Sequence, residues 1–168
     1  MGEITGKIAR KYMAHFLDTS FAHKLESAVW GRIGKDLEEY NVELNPDTET
    51  KKNILGENSF VHNGYDVSSE ADPNYCYVGD PLFEKLQEIV DNRYTDDNCK
   101  TYAMEVHLWD GTGTAYPAYV QECYVVPNSY GGDTIGYQIP YSVNYVGERI
   151  KGTYDPSTKK FTAETTTE

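Results

Sequence analysis

The chain has 168 residues, 39% of them hydrophobic, and a formal net charge of −12. This length is enough for one domain with a sizeable core, and no apolar run approaches the length that spans a bilayer. The acidic balance argues against a surface that grips nucleic acid, because binding phosphates requires clusters of lysine and arginine.

The first third of the chain is predicted to form short strands after a loose N-terminal arm at residues 1–9. Alternation and β-branched or aromatic content predict strands at 11–17, 30–33, 36–44, 48–55 and 60–65. The clearest alternation lies at 36–44, where apolar and polar side chains take opposite sides: Tyr40, Val42 and Leu44 against Glu39, Asn41 and Glu43. The sequence Asn45-Pro46-Asp47 then predicts a turn.

One segment has a helical pattern, and predicted strands surround it. Asp80 suits the N-cap, since its carboxylate can accept hydrogen bonds from the first turn, and Pro81 suits the first helical position. Such a helix must pack against a sheet, because nothing else is available. The chain is therefore predicted to be one mainly β domain, a β-sandwich or open barrel with one flanking α-helix. The apolar face of the helix is Leu82, Phe83, Leu86, Ile89 and Val90.

The segment after the helix is predicted to be β throughout. Strands are expected at 100–109 and 116–126, with a hairpin turn at 110–113. A long strand is expected at 134–146, although Pro140 weakens it as a central strand because proline cannot donate to the ladder. A last hairpin would join 149–154 to 160–163, and the tail at 164–168 is expected to be disordered. In the long strand, Gln138, Ser142 and Asn144 lie opposite Ile139, Tyr141, Val143 and Tyr145.

Residues that carry chemistry are few and scattered. The four histidines show no zinc-helix spacing, and the three cysteines, Cys76, Cys99 and Cys123, match no zinc pattern. Their odd number favours reduced thiols in a cytosolic compartment. Neither a phosphate-binding loop nor a nucleophile elbow is present. We therefore expect a protein without catalytic activity, metal or cofactor.

Aromatic residues leave one binding function open. Trp30 and Trp109, together with fifteen tyrosines, could build a sugar-binding platform on a monomeric β-sandwich. Aromatic side chains in β proteins more often belong to the core or to an interface. A carbohydrate-binding module is therefore the alternative to a structural role.

Several segments, in this order along the chain, resemble the major tail tube protein of long-tailed, siphovirus-type bacteriophages or of prophages in Gram-positive hosts. No single segment is a strict signature, and the combination carries the resemblance. The segments are YMAHFLD at 12–18, RIGKDLEEY at 32–40, ETKKNILG at 49–56, GDPL at 79–82, SYGGDT at 129–134, QIP at 138–140 and KGTYD at 151–155.

The resemblance implies a tail tube-like fold and a structural role in the virion. Proteins of this family form hexameric rings that stack into a hollow tube, in which neighbouring subunits share sheet edges. The tube encloses the tape measure protein, meets the tail terminator and the distal tail or baseplate proteins, and conducts DNA without binding it specifically. The expected location is the virion tail, assembled in the host cytoplasm, with no membrane partner. A contractile-type injection tube or another tail component is the related alternative.

Two sets of residues are predicted to have a function in such a tube. Polar strand faces are predicted to line the lumen, because a basic wall would retain DNA phosphates. An arm at residues 48–58 is predicted to contact a neighbouring subunit. The lumen set is Glu39, Asn41, Glu43, Gln138, Ser142 and Asn144; the arm set is Thr48, Glu49, Thr50, Lys51, Lys52, Asn53, Ile54 and Leu55.

Overall fold

The computed structural model describes residues 5–111 and 113–164. This part of the chain contains twelve strands, one α-helix and three short 3-10 helices. The strands are β1 (Met13–Asp18), β2 (Trp30–Ile33), β3 (Val42–Glu43), β4 (Pro46–Lys52), β5 (Asn58–Tyr65), β6 (Ser68–Ala71), β7 (Lys100–His107), β8 (Tyr116–Pro127), β9 (Gly131–Gly132), β10 (Tyr137–Gln138), β11 (Tyr141–Asp155) and β12 (Lys160–Ala163); the α-helix is α1 (Pro81–Asn92), and the 3-10 helices are Arg10–Tyr12, Leu25–Ser27 and Asp96–Cys99.

Eight strands form one antiparallel sheet in the order β2-β1-β7-β8-β11-β6-β3, and β12 pairs with the far end of β11. The sheet curls into a half-barrel with one flanking helix, so the predicted mainly β open architecture is confirmed. Two hairpins, β4–β5 and β9–β10, are separate two-stranded sheets. The main sheet thus ends at β2 on one side and at β3 and β12 on the other.

The helix begins where the sequence predicts and covers one face of the sheet. The Asp80 carboxylate accepts a hydrogen bond from the Leu82 N–H at 3.1 Å, and Pro81 occupies the first turn. Its buried side chains, Leu82, Leu86, Ile89 and Val90, lie on one side of the helix, as the 3.6-residue period requires. Most of them join a cluster that includes Leu17 and Val143 of the sheet.

A second apolar cluster lies on the opposite, concave face. It contains Phe16, Met104, Val120 and Tyr154, with Trp30 packed against its margin. The Phe16 and Tyr154 rings are 5.2 Å apart, which brings β1 and the end of β11 together across the curl. Because neighbouring residues of a strand point to opposite faces, β1 sends alternate side chains into both clusters, and its residues from Ala14 to Asp18 are all buried.

The longest strand, β11, contributes to both clusters. Its first half pairs with β6 and β8, and its second half pairs with β8 and β12. The pairing with β8 is interrupted between Val146 and Ile150, where Gly147 has a φ of +70°. Such a bulge bends a strand, and here it lies between the half of β11 that faces α1 and the half that holds Tyr154.

The prediction of a strand at 36–44 is wrong for most of that segment, since only Val42–Glu43 is a strand. Asp36 has a φ of +63°, which ends extended structure just after β2. The segment then crosses the sheet as a loop because Tyr40 is buried, with its hydroxyl 2.6 Å from the Ser69 hydroxyl. This long-range contact replaces the regular alternation.

The prediction of one long strand at 134–146 is also wrong. Residues 137–138 form β10, which pairs with β9, and β11 begins only at Tyr141. Pro140 separates the two, as expected of a residue that cannot donate to a ladder. The predicted strand at 149–154 is part of β11, which continues through the bulge, and the end of β11 pairs with β12, so the predicted last hairpin is confirmed.

Parts of the predicted terminal segments lie outside the described residues. These are residues 1–4 of the predicted arm and residues 165–168 of the predicted tail. The Glu164 N–H, at the start of that tail, donates to the Lys151 carbonyl at 2.8 Å. None of the helices within residues 5–111 and 113–164 combines the length and the hydrophobicity that spanning a bilayer requires.

Candidate functional site: an exposed hairpin and two charged surfaces

The hairpin β4–β5 contains the whole predicted arm. A tight turn closes it: the Asn53 side-chain oxygen accepts from the backbone N–H groups of Leu55 and Glu57, both at 2.9 Å. Gly56 has a φ of +82°, a conformation that favours glycine. The hairpin is therefore a regular element built from its own hydrogen bonds, although it does not join the main sheet.

Apolar side chains of this hairpin face solvent. Every residue of β4 is exposed, and so is every residue of β5 except Gly64. At the tip, Ile54 is 102% exposed and Leu55 is 75% exposed. Phe60 and Tyr65, on β5, are also exposed, with the His62 ring between them. Since exposed apolar groups that lie close together often mark interaction sites, this hairpin is a candidate contact surface.

Five of the six residues predicted to line a lumen lie together. Strand pairing aligns β3, β6 and β11, with Glu43 opposite Ser68 and Ser68 opposite Asn144. Together they line an open depression, which contains four carboxylates and no Lys, Arg or His. We call this surface the acidic face; its lining is Glu39, Tyr40, Asn41, Glu43, Ser68, Ser69, Glu70, Asp72, Ser142 and Asn144.

The sixth residue, Gln138, does not belong to the acidic face. It lies in β10, where it pairs with Gly131 and bridges to Tyr75. The prediction extended one strand across Pro140, whereas the chain leaves one sheet and enters another there. Ser68, Glu70 and Asp72 complete the face instead, and the sequence could have shown them only through the pairing of β6 with β11.

A second charged surface, which the sequence analysis missed, is lined by four cationic side chains and two carboxylates, and one of these, Glu39, also lines the acidic face. Arg10 and Lys11 precede β1, whereas Arg32 and Lys35 lie on and just after β2. The antiparallel pairing of β1 with β2 brings both pairs to one groove of about 510 Å³. We call it the basic groove. Two arginines are held on backbone oxygens: Arg10 donates to the carbonyls of Met13 and Tyr40 at 2.7 and 2.9 Å, and Arg32 donates to the Lys11 carbonyl at 3.0 Å.

His15 lies in the wall of this groove and is 7% exposed. Burial, followed by the positive charges of Arg10 and Arg32, lowers the pKa of His15 from 6.5 to about 4. Its ring meets Tyr40 edge-on at 4.8 Å. The imidazole is therefore neutral near pH 7, and the charges in the groove are the four longer cationic side chains and the carboxylates of Glu38 and Glu39, which line it too.

The two tryptophans do not form a joint platform. Trp30 pairs with Asp18 at one end of β1, whereas Trp109 follows His107, which pairs with Met13 at the other end. Trp109 stacks on His107 with ring centroids 4.5 Å apart. Met13 and Asp18 are five residue steps apart along β1, or roughly 17 Å at the usual rise. The structure thus places the two indoles in separate environments.

Cysteines and other ligating residues form no evident centre among the described residues. Cys76, Cys99 and Cys123 are free thiols. Burial raises the pKa of all three, which disfavours the reactive thiolate. In the described parts of the chain, no group of three His, Cys, Asp or Glu residues is arranged to hold a metal ion.

No family model matches the chain, and a search of curated proteins finds no match.

Proposed function

We propose that this chain is a structural virion protein that polymerises into stacked hexameric rings, which form the tail tube of a bacteriophage and conduct its DNA. The observation that carries the proposal is the hairpin β4–β5, whose tip exposes Ile54 and Leu55 almost completely. Exposed apolar side chains that lie close together often mark interaction sites. A protein that polymerises can bury this tip against the next copy.

The ends of the main sheet support the same proposal. Among the described residues, β2 and β3 each pair with one strand only, so each leaves backbone N–H and C=O groups free along its outer side. Unprotected edges recruit further strands. A head-to-tail arrangement in which one copy's β2 meets the next copy's β3 uses both edges, and it closes into a ring if the rotation permits.

The acidic face supports passage of DNA. Its four carboxylates, from Glu39, Glu43, Glu70 and Asp72, share the surface with short polar side chains. Turned towards a bore, this surface repels phosphates and offers no lysine or arginine to hold them. In the proposed tube, Glu39, Asn41, Glu43, Ser142 and Asn144 line the lumen.

The proposed partners follow from the assembly. The tube encloses a tape measure protein and ends at a tail terminator and at distal tail or baseplate proteins. Its location is the virion tail, assembled in the host cytoplasm.

Electron microscopy and sedimentation of the purified chain at high concentration test the proposal. We expect rings or tubes for the wild type. A variant in which residues 50–60 are replaced by Asn-Gly keeps Glu49 opposite Val61, its native partner, through a two-residue turn. We expect this variant to fold and to stay monomeric.

A matched control shortens the other hairpin. Replacing residues 133–136 by Asn-Gly joins Gly132 to Tyr137, which already pair, and we expect this variant to assemble like the wild type. A wild type that stays monomeric at every concentration contradicts the proposed function. Equal assembly by the variant with the shortened β4–β5 hairpin removes the role of the arm.

A further inference from the structure

The hairpin β4–β5 continues two strands of the main sheet in the same register. Glu43 of β3 pairs with Ser68 of β6. Three residues further along the first strand, Pro46 of β4 pairs with Tyr65 of β5, which lies three residues back along the second. Each step along one strand is thus matched by one step back along the other. β3 with β4, and β5 with β6, are therefore the two strands of one ribbon, which is interrupted where the hairpin leaves the sheet.

The interruption lies at Asn45. This residue has a φ of +44°, in the left-handed region that asparagine tolerates better than most L-residues. The Asp66 N–H donates to the Asn45 carbonyl at 3.3 Å, and in a regular antiparallel pair the Asn45 N–H would donate to the Asp66 carbonyl in return. The Asn45 side-chain amide takes that place, since it donates to the Asp66 carbonyl at 3.0 Å and to the Ser68 hydroxyl at 3.3 Å.

The same groups allow a second arrangement. If Asn45 turns to an extended φ, its backbone N–H can make the bond to the Asp66 carbonyl that its side chain makes now, and the side-chain amide is released to water. Neither arrangement leaves the Asp66 carbonyl without a donor. The Val67 carbonyl accepts from the Tyr145 N–H of β11 at 3.0 Å, so the partner strand is fixed to the sheet up to this point. The hairpin beyond it is exposed almost throughout, so packing does not fix its direction.

The conformation of Asn45 sets the length of the sheet edge at β3. With Asn45 left-handed, the edge strand is only Val42–Glu43, and very short edge strands are protected from pairing with other chains. With Asn45 extended, the edge runs through residues 42–45. It ends at Pro46, because alternate residues of a strand bond to opposite sides and a proline on the outer side has no N–H to donate. The edge on the other side of the sheet, β2, also has four residues.

We propose that Asn45 is a switch for assembly, left-handed in the free subunit and extended in the assembled one, where residues 42–45 pair with β2 of the next copy. This inference rests on the proposed function, because it assigns one residue's conformation to the contact by which copies join. In the free subunit, the left-handed Asn45 keeps the β3 edge too short to pair. Because the hairpin turns with Asn45, the pairing also changes the direction of its exposed tip.

Substitutions that change the cost of the left-handed conformation test the switch. Asn45→Val introduces a β-branched side chain that disfavours this conformation and removes the amide that holds it. We expect Asn45→Val to assemble at a concentration about tenfold lower than the wild type, as measured by sedimentation velocity. Asn45→Ala and Asn45→Gly both remove the amide, but glycine adopts the left-handed conformation without cost. Asn45→Ala should therefore lower the assembly concentration more than Asn45→Gly does.

A matched control places the same side chain at another left-handed residue. Lys159 has a φ of +57° and is exposed in the turn between β11 and β12, outside the ribbon. We expect Lys159→Val to lower the melting temperature of the subunit and to leave the assembly concentration unchanged.

The direction of the hairpin provides a second measurement. Spin labels at Ser59→Cys on β5 and Glu84→Cys on α1, both exposed, report their separation by pulsed EPR in a Cys76→Ser background. In dilute, free subunits, we expect one distance for the wild type and Lys159→Val, and a different distance for Asn45→Val. In wild-type assemblies with few labelled copies among unlabelled ones, the distance should be that of Asn45→Val.

Two outcomes overturn the inference and leave the proposed function standing. One is a wild-type assembly that keeps the label distance of the free subunit. The other is equal assembly by Asn45→Val and Lys159→Val. If urea denaturation shows that Asn45→Val is unfolded, Asn45→Ala and Asn45→Gly decide in its place, and equal assembly concentrations for these two overturn the inference. If neither the wild type nor any Asn45 variant assembles, the proposed function and the inference are both overturned.

Discussion

Strands β1 and β4 have similar lengths and opposite surroundings. In β1, all residues from Ala14 to Asp18 are buried, because the curl of the sheet and the helix cover both of its faces. In β4, all seven residues are exposed. The two strands therefore differ in what they contribute. The side chains of β1 stabilise the fold, whereas the hairpin of β4 leaves its apolar side chains available to another molecule. Substitutions in the two regions should therefore act on different measurements.

The largest expected effect on folding is at Leu17. This side chain is fully buried in the cluster beneath α1, and Leu17→Ala removes apolar contacts and leaves a cavity. We expect the free energy of unfolding to fall by about 2–5 kcal/mol. Urea denaturation followed by fluorescence measures it. A loss no greater than that of an exposed leucine, for which Leu55→Ala is the matched control, would contradict the burial of β1.

A pH-dependent effect follows from His15. Its pKa is about 4 in the folded protein and 6.5 in the unfolded chain, so between these values the unfolded state binds more protons. The stabilisation is fully present above pH 6.5 and is lost as the pH falls towards 4, by up to about 3 kcal/mol.

Comparing two histidine variants isolates this contribution. We expect His15→Gln to flatten the decline in stability between pH 6.5 and 4, because glutamine does not titrate. His62→Gln, on the exposed hairpin, should leave the profile unchanged. The melting temperature of each variant, measured across this pH range, tests the prediction. The same dependence of stability on pH for the wild type and His15→Gln would contradict it.

A smaller loss is expected at Asp18, at the end of β1. One carboxylate oxygen accepts hydrogen bonds from the N–H and hydroxyl of Ser20, at 2.9 and 2.6 Å, and from the Val29 N–H at 3.0 Å. Asp18→Ala leaves these donors without their acceptor and should cost about 2 kcal/mol. Asp18→Asn keeps an oxygen in place and should cost less. Equal losses for the two variants, in the same denaturation assay, would argue against this role of the oxygen.

The smallest effect on folding is expected at the hairpin tip. Ile54→Ser with Leu55→Ser changes residues that are exposed, so the free energy of unfolding should change by less than about 0.5 kcal/mol. The same variant should lose assembly, as measured by sedimentation velocity. A variant that still forms rings, or one that is strongly destabilised, would remove the contrast between the hairpin and β1.

What the sequence predicts well here is local. The helix could be placed because Asp80, Pro81 and the apolar spacing act within a dozen residues. The hairpin turn at Asn53 is equally local, although the predicted strand at 48–55 ran through it and β4 ends at Lys52. The loop at 34–41 could not be predicted, because it depends on the burial of Tyr40 against Ser69, a residue 29 positions away.

The charged surfaces show the same limit. Residues of β3 and β11 were expected on polar faces, yet only strand pairing shows that they form one surface with β6. The basic groove needs the pairing of β1 with β2, which joins two short segments about twenty residues apart. Pro140, in contrast, was a local signal whose effect was underestimated, since it ends a strand and moves Gln138 to another sheet.

The continuity of β11 has a consequence for how the subunit melts. A single strand of fifteen residues passes from the cluster beneath α1 to the cluster beside Tyr154. If either cluster unfolded, β11 would lose part of its pairing with the neighbouring strands, which would weaken the other cluster as well. Heating should therefore produce one cooperative transition with no half-folded species. In the proposed tube, only fully folded subunits would then be added.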